Sequence, residues 1–164
     1  MCKPASFVVT KENGDYKVYF SENVDSHTDI IEEFGFKDVP NVRGEPRLIP
    51  CEIVPPNGDY RLPIEKWIFN SDIRPEWADM EKVEQACRQK LPEWYKYHVI
   101  NKGEHKLTGN ISRVILGGKV IIDNQSGGDC RFNDNSQGEV SNQSGGDCRF
   151  YDNSQGEVSN QSGG

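Results

Sequence analysis

"NQSGGDCRFNDNSQGEVS" (residues 124–141) is followed directly by "NQSGGDCRFYDNSQGEVS" (residues 142–159), and the two copies differ only at Asn133 against Tyr151. The period is 18, and "NQSGG" at 160–164 repeats the opening of the unit. A weaker echo lies inside each copy, where "NQSGGDCR" aligns with "DNSQGEVS". Self-similarity on this scale implies stacked coils, because one coil can neither bury its inner face nor satisfy its backbone without a neighbour. In "DCRF" and "GEVS", alternation puts Cys130, Phe132 and Val140 on one face and Asp129, Arg131, Glu139 and Ser141 on the other. The second copy repeats this with Cys148, Phe150 and Val158 inward, and Asp147, Arg149 and Glu157 outward. Gly127, Gly128, Asn135 and Gly138 are the expected corners.

Working back by 18 residues sets Val114 before Phe132 and Ile122 before Val140, so "NISRVILGGKVIIDN" reads as the first coil. Stacking at roughly 4.8 Å produces ladders of like residues, Asp129 under Asp147 and Arg131 under Arg149 among them. Cys130 and Cys148 then fall within disulfide reach by Cα spacing, with stacked inward thiols the expected state.

The remainder has ordinary globular composition. Asn13-Gly14 between "SFVVT" and "YKVYF" signals a hairpin. Ser26 with Asp29 reads as a capping box for a short helix that buries Ile30, Ile31 and Phe34 and stops at Gly35. "RLIPCEIVPP" reads as a strand interrupted by Pro50, and "EKWIFN" as a further strand. Asp79 caps the longest helix, where Met80, Val83, Cys87, Leu91 and Trp94 make one apolar face and Pro92 is expected to break or kink it. The expected fold is an α+β N-terminal capping domain, residues 1–107, followed by a short β-solenoid of 18-residue coils, residues 108–164.

Charge excludes some function classes. Lys and Arg against Asp and Glu number 15 against 19 up to residue 107 and 4 against 7 beyond it. Nothing resembles a basic footprint, so direct nucleic-acid binding is not expected. No apolar run is long enough to cross a membrane, and "MCKPASFVVTKENGD" lacks the apolar core of a secretory signal. Five cysteines without CxxC or Cys/His ligand spacing fit a reducing, cytoplasmic setting.

The segments "MCKPASFVVTK", "DSHTDIIEEFGFKD", "PPNGD" and "RPEWADMEKVEQACRQKLPEWYK", with the tandem Asn/Ser/Gly repeats after them, resemble a family of uncharacterised phage, prophage and gut metagenomic proteins. The resemblance covers residues 1 to about 100 and, more loosely, the repeats. It implies a phage setting, with the host-cell cytoplasm as location, and no particular activity. A weaker similarity to pentapeptide-repeat proteins conflicts with the 18-residue period.

Catalytic candidates are few. Removal of Met1 would give Cys2 both a thiol and a free α-amine, as in N-terminal-nucleophile hydrolases, with His27 the nearest base. The alternative is that Cys2 begins a strand and His27 sits in a first helical turn. Asp129, Asp134, Asp147 and Asp152 lack the G-x-G-x-D spacing of calcium-binding repeats, so no metal and no cofactor is expected. Trp67, Trp77, Trp94 and Tyr95 are expected in the core rather than in a ligand cage. Three readings follow. The first is a non-enzymatic protein, such as an anti-defence inhibitor, that binds a host or phage protein through its N-terminal domain, through the acidic solenoid face carrying Asp129, Arg131, Glu139, Asp147, Arg149 and Glu157, or through both. The second is an assembly protein forming homo-oligomers by solenoid stacking, and the third is a Cys2-dependent hydrolase or transferase.

Overall fold

A computed structural model describes residues 5–41 and 43–162, which divide into two compact units. The first holds 5–21 and 25–95, and the second holds 22–24 with the rest of the chain from 96.

In the first unit, β1 (Ala5–Glu12) and β2 (Asp15–Tyr19) form the expected hairpin. Asn13 at φ 51° and Gly14 at φ 94° supply the two left-handed residues that a tight two-residue turn needs. Helix α1 (His27–Glu33) starts at Ser26, whose hydroxyl accepts from the Asp29 amide at 3.5 Å, and buries Ile30 against Val8 and Leu48. Strand β3 (Ile49–Val54) and β4 (Ile68–Asn70) complete an antiparallel sheet of order β2-β1-β3-β4. Pro50 does not interrupt β3 as expected: it pairs with Val8 in register. The β4 ladder reaches only Glu52, and the Ser71 hydroxyl donates to the Pro50 carbonyl at 2.9 Å, so the proline sits where the sheet ends on that side.

Helix α2 (Met80–His98) runs through Pro92 without ending. The proline removes the amide that would bond to the Arg88 carbonyl, but Leu91 and Trp94 on either side are each 1% exposed. Burying two such side chains contributes roughly 1.5–3 kcal/mol each, enough to offset the lost bond. Val83 and Cys87 complete the buried face, and Met80 is half-exposed. Asp25, absent from the sequence reading, is buried and accepts at Oδ1 from the Ser6 amide at 2.8 Å and from the Trp94 indole at 3.3 Å.

The second unit is a β-solenoid of four coils. These are β5 (Val99–Ile100) with β6 (Glu104–Asn110), β7 (Arg113–Ile115) with β8 (Lys119–Gly127), β9 (Asp129–Phe132) with β10 (Gln137–Gln143), and β11 (Asp147–Phe150) with β12 (Gln155–Gln161). They stack as two parallel sheets of order β11-β9-β7-β5 and β12-β10-β8-β6. Coils three and four are 18 residues apart throughout, Cys130 on Cys148 and Val140 on Val158. Earlier coils are shorter, with Glu104 beside Lys119 and Val99 beside Val114. Stacking therefore begins ahead of residue 108. The residue under Phe132 is Ile115, not Val114, because the corner at 116–118 is one residue shorter than that at 133–136. Ile122 does pair with Val140.

Two expected corners also move. The left-handed residue of the second corner is Asp134, at φ 55°, rather than Asn135. Gly138 lies inside β10, where a Cβ would collide with the Phe132 ring, and its φ is not left-handed. Its lack of a side chain makes room for an aromatic in the core, and Gly156 repeats this beneath Phe150.

Gly138→Ala is expected to destabilise the solenoid by about 1–3 kcal/mol through overpacking, and Phe132→Ala by about 3–5 kcal/mol. In the double variant the new methyl occupies space vacated by the ring, so its cost is less than the sum of the two single costs. Far-UV circular dichroism in urea measures this. Tryptophan fluorescence reports on the first unit alone, because Trp67, Trp77 and Trp94 all lie there, and separates an effect on that unit from one on the solenoid.

Candidate functional site

Alternation along β9 and β11 turns Asp129, Arg131, Asp147 and Arg149 outward, and alternation along β10 and β12 does the same for Glu139 and Glu157. All six candidates face solvent, but on two sheets rather than one surface. Asp129 sits in register with Asp147, and Arg131 with Arg149. Like-charge columns of this kind cost energy unless opposite charge lies alongside. The Arg149 guanidinium donates to the Asp147 carboxylate at 2.6 Å. Lys119 reaches across one coil to Glu139 at 2.8 Å, and that carboxylate's hydrogen bond and charge hold the ammonium above its usual pKa.

Uncharged ladders run beside them. Asn160 donates to the Asn142 side-chain carbonyl at 3.1 Å, and Asn142 to that of Asn124 at 3.1 Å. Gln125 and Gln143 are buried and point inward. Gln125 Nε2 donates to the Gly128 carbonyl at 3.1 Å, and Gln143 Nε2 to that of Gly146 at 2.8 Å. These inward amides were missed in the sequence. The available signal was the exact spacing of Gln and Gly, since each glutamine bonds the carbonyl three residues on.

The interior changes along the stack. Cys130 and Phe132 are fully buried and Val140 is 1% exposed, whereas their coil-four counterparts Cys148, Phe150 and Val158 are only partly buried. Phe150 stacks on Phe132 with centroids 4.6 Å apart and planes 14° apart. The hydrogen bond shared with Cys148, then burial, push the Cys130 thiol well above its ordinary pKa. Both cysteines are free thiols, and Cys148 Sγ donates to Gln125 Oε1 at 2.7 Å. Arg113 takes the place under Cys130, its guanidinium donating to the Asn23 and Ser112 carbonyls at 3.0 and 2.8 Å. At the far edge Tyr151, the one residue that distinguishes the two copies, is 42% exposed.

Of the two catalytic candidates, only His27 falls within the described residues. Cys2 lies outside the described residues. His27 donates from Nε2 to the Cys51 carbonyl at 3.0 Å and lines a cleft of about 380 Å³ with Glu52, Ser71 and Asp72. The Ser71 hydroxyl there is directed at the Pro50 and Ile73 carbonyls, not at the imidazole. Trp67, Trp94 and Tyr95 form the core expected of them, with Trp67 centroids 6.2 Å from Trp94, 6.0 Å from Tyr95 and 5.5 Å from Tyr60. Trp77 stands apart, half-buried at a second cleft. Among the described residues no group of three His, Cys, Asp or Glu side chains is placed to hold a metal ion, and no helix is long and apolar enough to cross a membrane.

Comparison with protein-family models, curated proteins and solved structures gave no match to this chain. The functional reading therefore rests on the geometry above.

Iodoacetamide labelling of the native protein, followed by peptide mapping, should modify Cys148 well before Cys130, Cys51 or Cys87. Those three are buried, and only denaturation should bring their rates up to that of Cys148.

Proposed function

We propose that this chain is a non-enzymatic interaction protein that works through its solenoid repeat, and that its partner is a second copy of the chain. The observation that carries the reading is self-complementarity: coils three and four, nearly identical in sequence, pair in register along both sheets. "DCRF" and "GEVS" are buried inside in coil three and half-open in coil four. A parallel edge strand presents a row of backbone donors and acceptors that another strand can complete. Coil three already shows what completes it, namely a coil of this same sequence. A two-fold pairing, antiparallel where the coil-to-coil stacking is parallel, would cover Phe150 and Val158 of both chains and bring the two Tyr151 rings into the interface, where tyrosine is enriched.

The columns of charge give less support to a basic host protein as partner. Asp147 and Glu139 are already matched by Arg149 and Lys119. A phage setting, in which the chain acts in a host cytoplasm, is compatible with either partner and follows from the resemblance of the N-terminal segments. A Cys2-dependent enzyme has less behind it still, since His27 is committed to a backbone carbonyl.

Light scattering coupled to size-exclusion chromatography tests the reading. The mass should rise with concentration towards twice that of one chain. Val158→Lys, which puts a charge on the inward face of the edge strand, should return it to the single-chain value. Tyr151→Asn is the sharper variant, because Asn133 already occupies that place in a folded coil. It should weaken association about tenfold. A single-chain mass at every concentration would overturn self-association.

A further inference from the structure

We infer that the first unit carries a binding site for a small organic anion with a planar aromatic body, in the cleft between the β1–β2 hairpin and the residues around Trp77. The cleft encloses about 830 Å³, within the roughly 300–1,000 Å³ usual for small-molecule sites. Phe36, Leu48 and Trp77 supply its apolar walls.

Its charge runs against that of the chain. The whole protein carries a net −7, yet Lys11, Lys37 and Arg47 line this cleft against Glu12 alone. Glu12 is itself committed, accepting from the Tyr19 and Thr10 hydroxyls at 3.1 and 3.3 Å and pairing with Lys17 at 3.5 Å. Lys37 and Arg47 are exposed and have no hydrogen-bond or ion-pair partner among the described residues. Two unengaged cations above an apolar floor suit an anionic group attached to a flat ring, with the ring on the indole and the anion at the rim.

The walls are braced before any ligand arrives. The Trp77 indole donates to the Pro46 carbonyl at 2.8 Å, and the Trp77 carbonyl accepts from Lys11 Nζ at 3.0 Å. These bonds fix the ring while leaving it half-open to the cleft. Asn41 closes the adjoining loop: its side-chain carbonyl accepts from the Arg43 and Glu45 amides at 2.8 and 3.0 Å, which orients the turn leading to Arg47. Phe36 is held by Tyr19, centroids 4.8 Å apart at 75°. The aromatic walls therefore lose little freedom on binding, and the side chains left to be ordered are Lys37 and Arg47.

Trp77 also provides the readout, since Trp67 and Trp94 are each only 1% exposed. Titration of the full chain with 1-naphthyl phosphate should quench its fluorescence saturably at one equivalent. 2-Naphthol, which lacks the anion, and inorganic phosphate, which lacks the ring, should each bind at least roughly tenfold more weakly. Lys37→Glu and Arg47→Glu alter exposed side chains, so the far-UV spectrum should be unchanged while 1-naphthyl phosphate affinity falls by a similar factor. Equal binding of 2-naphthol would make the cleft a generic apolar crevice and overturn the proposal. So would an affinity untouched by either charge reversal, or the absence of saturable quenching.

Discussion

The solenoid depends on in-register parallel stacking. A coil of 18 residues directs its backbone amides and carbonyls at the coils above and below it and its apolar side chains at a centre that it cannot fill alone. Once coils share a register, each residue lies over its own counterpart, and the composition of the repeat has to tolerate that. Phenyl rings do so by lying parallel, as Phe132 and Phe150 do, and asparagines by donating to one another along the stack. Carboxylates and guanidinium groups do not, which is why Asp147 has Arg149 two residues on and Glu139 has Lys119 one coil back. The pattern of outer charges thus follows from the stacking itself and needs no partner to explain it.

The same constraint explains which parts of the structure were legible in the sequence. The inward phase of Cys130, Phe132 and Val140 could be read because a period of two inside a period of 18 leaves one consistent assignment. The shorter coils before residue 124 could not, because their sequences do not repeat. Their lengths are set by corners such as 116–118, whose count of residues is not written in any hydrophobic pattern. Gly138 looked like a corner because glycine usually marks one; its actual role depends on a ring six residues earlier in the chain that lies across the coil. Pro92 was read by its local cost, and burial of Leu91 and Trp94 offset that cost. The six outward charges were legible as outward, but their distribution over two sheets was not.

The first unit assembles its chemistry differently. Its sheet joins strands far apart in sequence, so Trp77 is held by Pro46 and Lys11, and Asp25 by Ser6 and Trp94. Unlike residues from distant segments meet, and a concave site with an apolar floor and a cationic rim can result. Nothing in the spacing of Lys11, Lys37, Arg47 and Trp77 announces that they surround one cleft, and sequence reasoning had singled out only Trp77, as an expected core residue.

Repetition cannot do this. In a stack of exact copies every column holds one residue type, and neighbouring columns recur unchanged from coil to coil. The unlike side chains that neighbouring columns bring together on this surface are taken up in ion pairs such as Asp147 with Arg149. The altered position is Tyr151, and it is an exposed aromatic at the edge, not a nucleophile or base beside a partner. Each copy of the repeat carries a thiol, a phenyl ring and a valine on its inward face. Those groups can contribute apolar contact and strand pairing, and both are satisfied best by a surface of the same spacing. The repeat thus lends itself to strand pairing with a surface of its own spacing, which is the physical basis of the proposed self-association.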